Sequence, residues 1–423
     1  MSKPSLIHNI LALSSVQLIS YLLPLVTVPY LTRVLGVEAW GTVSLVNIVI
    51  GYFTLVTNWG FNLSATRKIS TNRNDLEKLS QIFISTWFAQ WVLCILVCLI
   101  LYLAIYFVTP LKSISTYYLW GSSLIIGNVL FPVWFFNGVE RMKELATLQI
   151  FTRLLAIPLV FTLIKSPNDA PFMLAISGVT GILSGFISIF WIKKNLDLCW
   201  KLPSAGQVYL EFHEGAGVFL STIWISCYTS ITPIILGSIE GVNAVGYYTF
   251  ADRFRSLAQS ILNPISQAIF PRLSNLFSKS TEEAKKLIIK SSIVIIITSV
   301  SSTILLWLFA PYIVLMMGGE SFRPAITILR WLSPLPFIVS ISNILGLQVL
   351  LPTQKTSIFN RILAVCGVIS LLMIVPLIHW NGYIGAPVNT LITESMVSIL
   401  MGVYVWKSKI FINSTKLRKT NEV

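Results

Sequence analysis

The chain reads as an all-α membrane protein with many spans, and three observations carry that reading. Of its 423 residues, 55% are apolar and only 11% charged, whereas a soluble domain carries about 25% charged residues. The mean hydropathy is +0.79. Uncharged stretches recur that exceed the roughly 20 apolar residues a spanning helix needs. These figures exclude a water-soluble multidomain enzyme, a disordered chain and a collagen-like repeat. Five cysteines in a chain of this length also exclude a disulfide-framed secreted domain. The net charge of +14 would suit nucleic acid in a polar chain. In an apolar chain, basic residues anchor membrane loops, so the expected partner is a lipid bilayer and not nucleic acid.

Runs free of Asp, Glu, Lys and Arg cover residues 4–32, 39–66, 79–111, 113–139, 170–192, 215–239, 291–319, 331–354 and 362–393. Three further helices follow if buried charges are allowed: 146–164 with Arg153, 244–270 with Asp252, Arg253 and Arg255, and 385–406 with Glu394. The expected total is twelve transmembrane helices. Barrel strands would need alternation over about ten residues, which these uniformly apolar runs lack. The first run outlasts a signal-peptide core, contains Pro24 and Pro29 and has no small-residue cleavage site, so it reads as a span.

Lys and Arg set the orientation. With the N-terminus inside, the inner loops and tail take 21 of the 30 basic residues, while the outer side has only Arg33, Lys112, Lys165 and Arg323. Both termini are therefore expected in the cytoplasm. All loops are short, which leaves no outer domain to hold an active site.

An internal repeat organises the count. Residues 36–44 (GVEAWGTVS) and 241–249 (GVNAVGYYT) match at Gly36/Gly241, Val37/Val242, Ala39/Ala244 and Gly41/Gly246, an offset of 205. The same offset carries Arg67 onto Arg272, and Pro29 falls within one residue of the position matching Pro233. Spans one and two thus map onto seven and eight. Six helices per half make the repeats parallel, a transporter design with its site at the repeat interface. The expected organisation is an N-terminal six-helix lobe (1–205), a C-terminal six-helix lobe (206–410) around a central cavity, and a tail (411–423).

Three stretches, LLPLVTVPYLTRVLG (22–36), PVWFFNGVERMKELA (132–146) and VGYYTFADRFRSLAQSILNPISQAIFPRLS (245–274), resemble signature segments of Wzx-type O-antigen flippases. These belong to the polysaccharide-transporter branch of the multidrug/oligosaccharidyl-lipid/polysaccharide exporter superfamily. The resemblance implies translocation of undecaprenyl-pyrophosphate-linked oligosaccharide from the cytoplasmic to the periplasmic leaflet of a bacterial inner membrane, with no cofactor and no catalytic residue. Association with other O-antigen assembly proteins is a further expectation, and the buried acids Glu394 and Asp252 lead to the expectation of coupling to a proton or sodium gradient. Two other classes remain open. One is a multidrug exporter of the same superfamily; buried arginines outnumber buried acids five to two, which favours an anionic substrate over cationic drugs. The other is an O-antigen polymerase, whose large outer loop this chain lacks.

The charges inside the spans are the candidate site, because each costs roughly 2.5–3.5 kcal/mol at a helix centre on insertion scales. Arg153 and Arg361 lie near span ends and can snorkel. Asp252 and Arg255 share a helix face and are expected to pair, with Arg253 pointing about 100° away. Arg330 has no acid within one turn. A guanidinium fork matches phosphate oxygens in pairs, so Arg253, Arg330, Arg33, Arg153 and Arg255 are the candidate ligands of a lipid pyrophosphate, weighed against a packing role. Glu394 and Asp252 are the ion-coupling candidates, weighed against hydrogen-bonded structural acids. Most tryptophans (Trp40, Trp59, Trp120, Trp200, Trp331, Trp380, Trp406) fall at expected helix ends, the usual interfacial belt. Trp134 sits by a Pro-broken helix end, where sugar stacking competes with simple packing. Cys94 and Cys98 share a face, but no His or acid completes a metal site. No GxxxxGK[ST] loop is present, which excludes an ATPase of that type.

Overall fold

The computed structural model describes residues 6–196, 198–261 and 280–408, with Ile269, Leu273, Leu276 and Phe277 in the intervening stretch. Among these residues there is no strand. Arg272 and Pro264, the N-terminal Lys3 and the tail basic residues beyond 408 lie outside the described residues, so the Arg67/Arg272 match is not placed.

The chain divides into two compact units, Met1–Ile223 and Trp224–Val423. In the first unit the helices are α1 (Leu6–Asn58), α2 (Phe61–Thr71), α3 (Leu76–Phe107), α4 (Ser115–Leu130), α5 (Val133–Gly138), α6 (Met142–Leu163) and α7 (Ala170–Asn195). Helix α8 (Ala205–Thr229) contains the dividing point. The second unit continues with α9 (Thr232–Glu240), α10 (Val242–Ser260), α11 (Thr281–Gly318), α12 (Ala325–Leu332), α13 (Leu335–Asn343), α14 (Thr356–Asn381) and α15 (Gly385–Lys407). A π-helical stretch, Ile344–Leu350, prolongs α13.

Eight helical stretches among the described residues are long and apolar enough to cross a membrane. Two of them, Val26–Thr71 and Thr356–Lys407, are 46 and 52 residues long, well beyond one crossing. The second holds α14 and α15, which pack together as a hairpin across the 3-10 turn Gly382–Ile384. Outward-facing apolar side chains mark the lipid-facing surface: on α3, Ile95 is 67% and Phe107 75% exposed. This is a multi-pass membrane protein.

Several helix ends differ from the uncharged runs, each for a local reason. The run 39–66 breaks at Trp59–Gly60, both at positive φ, so that α2 is a separate helix that extends beyond the run to Thr71. The run 113–139 breaks at Phe131–Pro132, because proline supplies no amide donor to continue the ladder. The run 331–354 breaks at Ser333–Pro334 in the same way.

The internal repeat has a conformational counterpart. Gly36 (φ 71°, ψ −177°) interrupts α1, and Gly241 (φ 83°, ψ 176°) separates α9 from α10. Both occupy a backbone region that is essentially glycine-only, 205 positions apart, at the head of the same GV-x-A motif. Neither hydrogen would meet a neighbour within 4 Å if replaced by a methyl group, so the requirement is backbone conformation and not space.

Small residues hold α4 against α7. A side chain on Gly127 would run into the backbone of Gly181, and one on Gly185 into Leu130. This is the close backbone approach on which helices rely in lipid, where burial supplies little drive. Ahead of α3, the Asp75 side chain caps the helix by accepting from the Lys78 amide at 3.1 Å. That hydrogen bond and the Lys78 side chain hold its carboxyl below the usual carboxylate value.

Gly36→Ala and Gly241→Ala are each expected to destabilise by about 1–3 kcal/mol, read as a lower thermal unfolding temperature of the detergent-solubilised protein. Gly206→Ala, in open space and helical, is the control and is expected to leave it unchanged or raised. Equal melting of all three variants would show that the two motif glycines are not conformationally required.

Candidate substrate-binding and ion-coupling sites

In the second unit, α10 places Tyr248, Asp252 and Arg255 on one face at spacings of four and three. Arg255 Nε donates to Asp252 Oδ1, Nη1 to Gln259 Oε1 and Nη2 to Ser256 Oγ at 2.8 Å. The expected Asp252–Arg255 pair is thus present, and the guanidinium has further partners on its own helix. Tyr248 and Thr390 share a hydroxyl hydrogen bond of 3.3 Å, which ties α10 to α15. One turn beyond Thr390, the half-buried Glu394 lies within electrostatic range of Arg255. Of the two acids that the sequence offers as alternatives, Asp252 is the one in direct contact with Arg255. Nearby, buried Asn389 on α15 donates to Ser370 Oγ of α14 at 2.9 Å.

The remaining arginines are dispersed. Arg253 is half-buried on α10. Arg330 is exposed on α12, with its guanidinium carbon 5.3 Å from the ring centroid of Trp307 on α11, a cation–π partner that sequence spacing does not show. Arg33 is exposed on α1 and Arg153 half-buried on α6, both in the first unit. Arg361 is exposed on α14.

Trp134 is corrected: only 1% exposed, it donates from Nε1 to Gln90 Oε1 at 3.0 Å and packs against Phe83 and Phe135. It belongs to the core and cannot present a face to a sugar. Trp40 is likewise buried and Trp59 stacks on Phe219 at 4.1 Å, so neither is a belt residue. Trp120, Trp200, Trp331, Trp380 and Trp406 are exposed, as an interfacial position requires.

Two features of the first unit were missed by a search restricted to charges inside spans. The first is an ion pair at the α2–α8 contact. Lys68 Nζ lies 3.0 Å from Glu211 Oε1 and 2.9 Å from Glu214 Oε2, and the Glu211 side chain is only 5% exposed. Ser85 Oγ donates to Glu211 as well, at 3.1 Å. In sequence these residues are 143 apart and look like loop charges.

The second is a pocket of about 510 Å³ between α1, α2, α4 and α8, lined without any charged residue. Asn47, Thr54 and Asn58 of α1, Asn62 of α2, Asn128 of α4 and Thr222 of α8 supply its polar groups. Phe219, stacked on Trp59, forms part of its apolar wall. The Asn128 Oδ1 atom is buried and accepts no hydrogen bond from the described residues, a state that costs about 1–3 kcal/mol. The signal in the sequence is the recurrence of Asn47, Gly51, Thr54 and Asn58 on one helix face within an otherwise apolar run.

Two compact units of long, broken apolar helices define a multi-pass helical membrane fold. Known structures share it: an inward-facing multidrug resistance MATE family transporter of the MOP superfamily aligns over 97% of this chain and 99% of its own, with a TM-score of 0.75 at 15% identity. The lipid II flippase MurJ, in an inward closed conformation, aligns over 96% and 91%, with a TM-score of 0.75 at 14% identity. The family model described as "Polysaccharide biosynthesis protein" matches residues 6–277. The chain is also 33% identical over 412 residues to an Escherichia coli (strain K12) protein named "Putative O-antigen transporter", which spans 97% of this chain and 99% of that one. The chain belongs to the polysaccharide biosynthesis protein family, in its Wzx-type branch.

Lys68→Met strands Glu211 as an uncompensated buried charge and is expected to destabilise by about 3–5 kcal/mol. Adding Glu211→Gln is expected to recover part of that loss in a double-mutant cycle read by thermal unfolding. A Lys68→Met protein as stable as wild type would show that the pair does not secure the α2–α8 contact.

Proposed function

We propose that the chain is a flippase for undecaprenyl-pyrophosphate-linked O-antigen or related polysaccharide repeat units, moving them from the cytoplasmic to the periplasmic leaflet of the bacterial inner membrane. It is a transporter and not an enzyme. The observation that carries the reading is the 33% identity to an O-antigen transporter over 97% of the chain. In this reading twelve helices form two six-helix lobes, 1–205 and 206–410, with both termini and the tail 411–423 in the cytoplasm. The lobes alternate access to the two leaflets.

The pyrophosphate takes its counter-charge from Arg253 and Arg330, with Arg33 and Arg153 as further candidates. Arg255 already donates to Asp252, Gln259 and Ser256, which suits it to a second task. With Asp252 on the Arg255 guanidinium and Glu394 on α15, the helix that Tyr248 of α10 contacts through Thr390, a proton or sodium ion that neutralises an acid would shift how Arg255 is shared. Such a competition couples an ion gradient to the α10–α15 contact.

Expression in an O-antigen-producing strain that lacks its own flippase is expected to restore surface polysaccharide. Accumulation of lipid-linked units on the cytoplasmic leaflet despite inserted protein would overturn the reading. In the same strain, Arg253→Ala and Arg330→Ala are each expected to lower export tenfold or more, the loss of about one charge-assisted interaction of 1.5–3 kcal/mol. Glu394→Gln is expected to remove the dependence of transport on the ion gradient. Unchanged gradient dependence in that variant would remove Glu394 from coupling. A C-terminal green fluorescent protein fusion is expected to fluoresce and a C-terminal alkaline phosphatase fusion to be inactive; the reverse result would invert the orientation.

A further inference from the structure

We propose that the uncharged pocket of the first unit is the subsite for the sugars of the transported lipid-linked unit. Its ligand class is neutral carbohydrate, held through ring hydroxyls by the carboxamides of Asn47, Asn58, Asn62 and Asn128. The proposal rests on the flippase reading and deepens it. A lipid-linked oligosaccharide has three chemically distinct parts, a prenyl tail, a pyrophosphate and a glycan, and the pocket suits only one of them.

A pyrophosphate requires Lys or Arg donors, and none lines this pocket. A prenyl chain requires a wall without polar groups, since each uncompensated amide penalises burial of hydrocarbon against it; here four asparagines and two threonines contribute to the lining. A metal or alkali cation requires a tight shell of oxygens, whereas about 510 Å³ lies in the range of small-ligand sites, about 300–1,000 Å³. A sugar matches on both counts. Each hydroxyl donates and accepts, and a carboxamide offers both functions. The C–H faces of the ring meet the apolar wall that includes Phe219.

The amides are also set in advance. Buried Trp134 donates to Gln90 Oε1 at 3.0 Å, and Gln90 Nε2 donates in turn to Asn58 Oδ1 at 3.5 Å. This relay restrains the carboxamide of Asn58, a pocket-lining residue. Across the pocket, Asn128 Oδ1 is a buried acceptor with no partner among the described residues. Carboxamide residues of α1, α2 and α4 thus line one cavity, and a carboxamide can both donate to and accept from sugar hydroxyls. Trp134, excluded from stacking on sugar by its burial, holds Gln90 through this hydrogen bond.

The test uses the purified full-length protein in nanodiscs and two probes: the undecaprenyl-pyrophosphate-linked repeat unit extracted from the flippase-deficient strain used for complementation, and bare undecaprenyl pyrophosphate. Wild type is expected to bind the sugar-bearing lipid at least tenfold more tightly than the bare one. Asn58→Leu with Asn128→Leu is expected to erase that ratio while the affinity for bare lipid stays unchanged. Because these two positions are partly buried, Asn47→Ala with Asn62→Ala, both exposed, provides a variant that keeps the fold and is expected to reduce the ratio several-fold. A ratio retained in both double variants overturns the subsite. Equal binding of the two lipids by wild type overturns the subsite and leaves the flippase reading standing, whereas binding of neither lipid overturns both.

Discussion

A backbone amide or carbonyl without a partner costs several kcal/mol in a hydrocarbon slab, and the rest of this structure follows from that constraint. It forces helices throughout the described chain and lets a helix break only where the freed groups are re-satisfied. At Phe131–Pro132 the Val133 amide turns back to the Phe131 carbonyl at 2.8 Å. Many hydroxyls do the same. Thr32 donates to Val28 O, Thr54 to Ile50 O and Thr393 to Asn389 O, each one turn back, so that they enter apolar helices without exposing an idle donor. Where two hydroxyls can meet, they bridge helices instead, as Ser299 of α11 and Ser340 of α13 do at 3.0 Å.

Polar side chains that break this economy are therefore informative. The two compact units use different chemistry. In the second, Arg255 is paired with Asp252, and a Tyr248–Thr390 hydroxyl pair joins α10 to α15. In the first, the pocket is lined by carboxamides without a charged residue. Gln90 and Asn58 form a relay behind a pocket whose Asn128 carbonyl has no internal partner, while the buried Glu211 is held by Lys68 and Ser85 at the edge of the same unit.

Much was determined by the sequence alone. Helical class and many membrane crossings follow from apolar runs too long and too uniform for strands, because hydropathy acts locally and additively. The repeat at Gly36 and Gly241 was also legible there, since a glycine-only backbone leaves a residue-level trace. So was the Asp252–Arg255 pair, which depends only on helical spacing. The tertiary structure decided what depends on residues distant in the chain. Trp134 became core because Phe83 and Gln90 of α3 enclose it, and Arg330 gained Trp307 from the preceding helix. Lys68 and Glu211, which read as loop charges, became a buried pair. The pocket amides, neutral and scattered over α1, α2 and α4, carry no charge for a sequence search to find, and their meaning arises only from packing that brings four helices to one cavity.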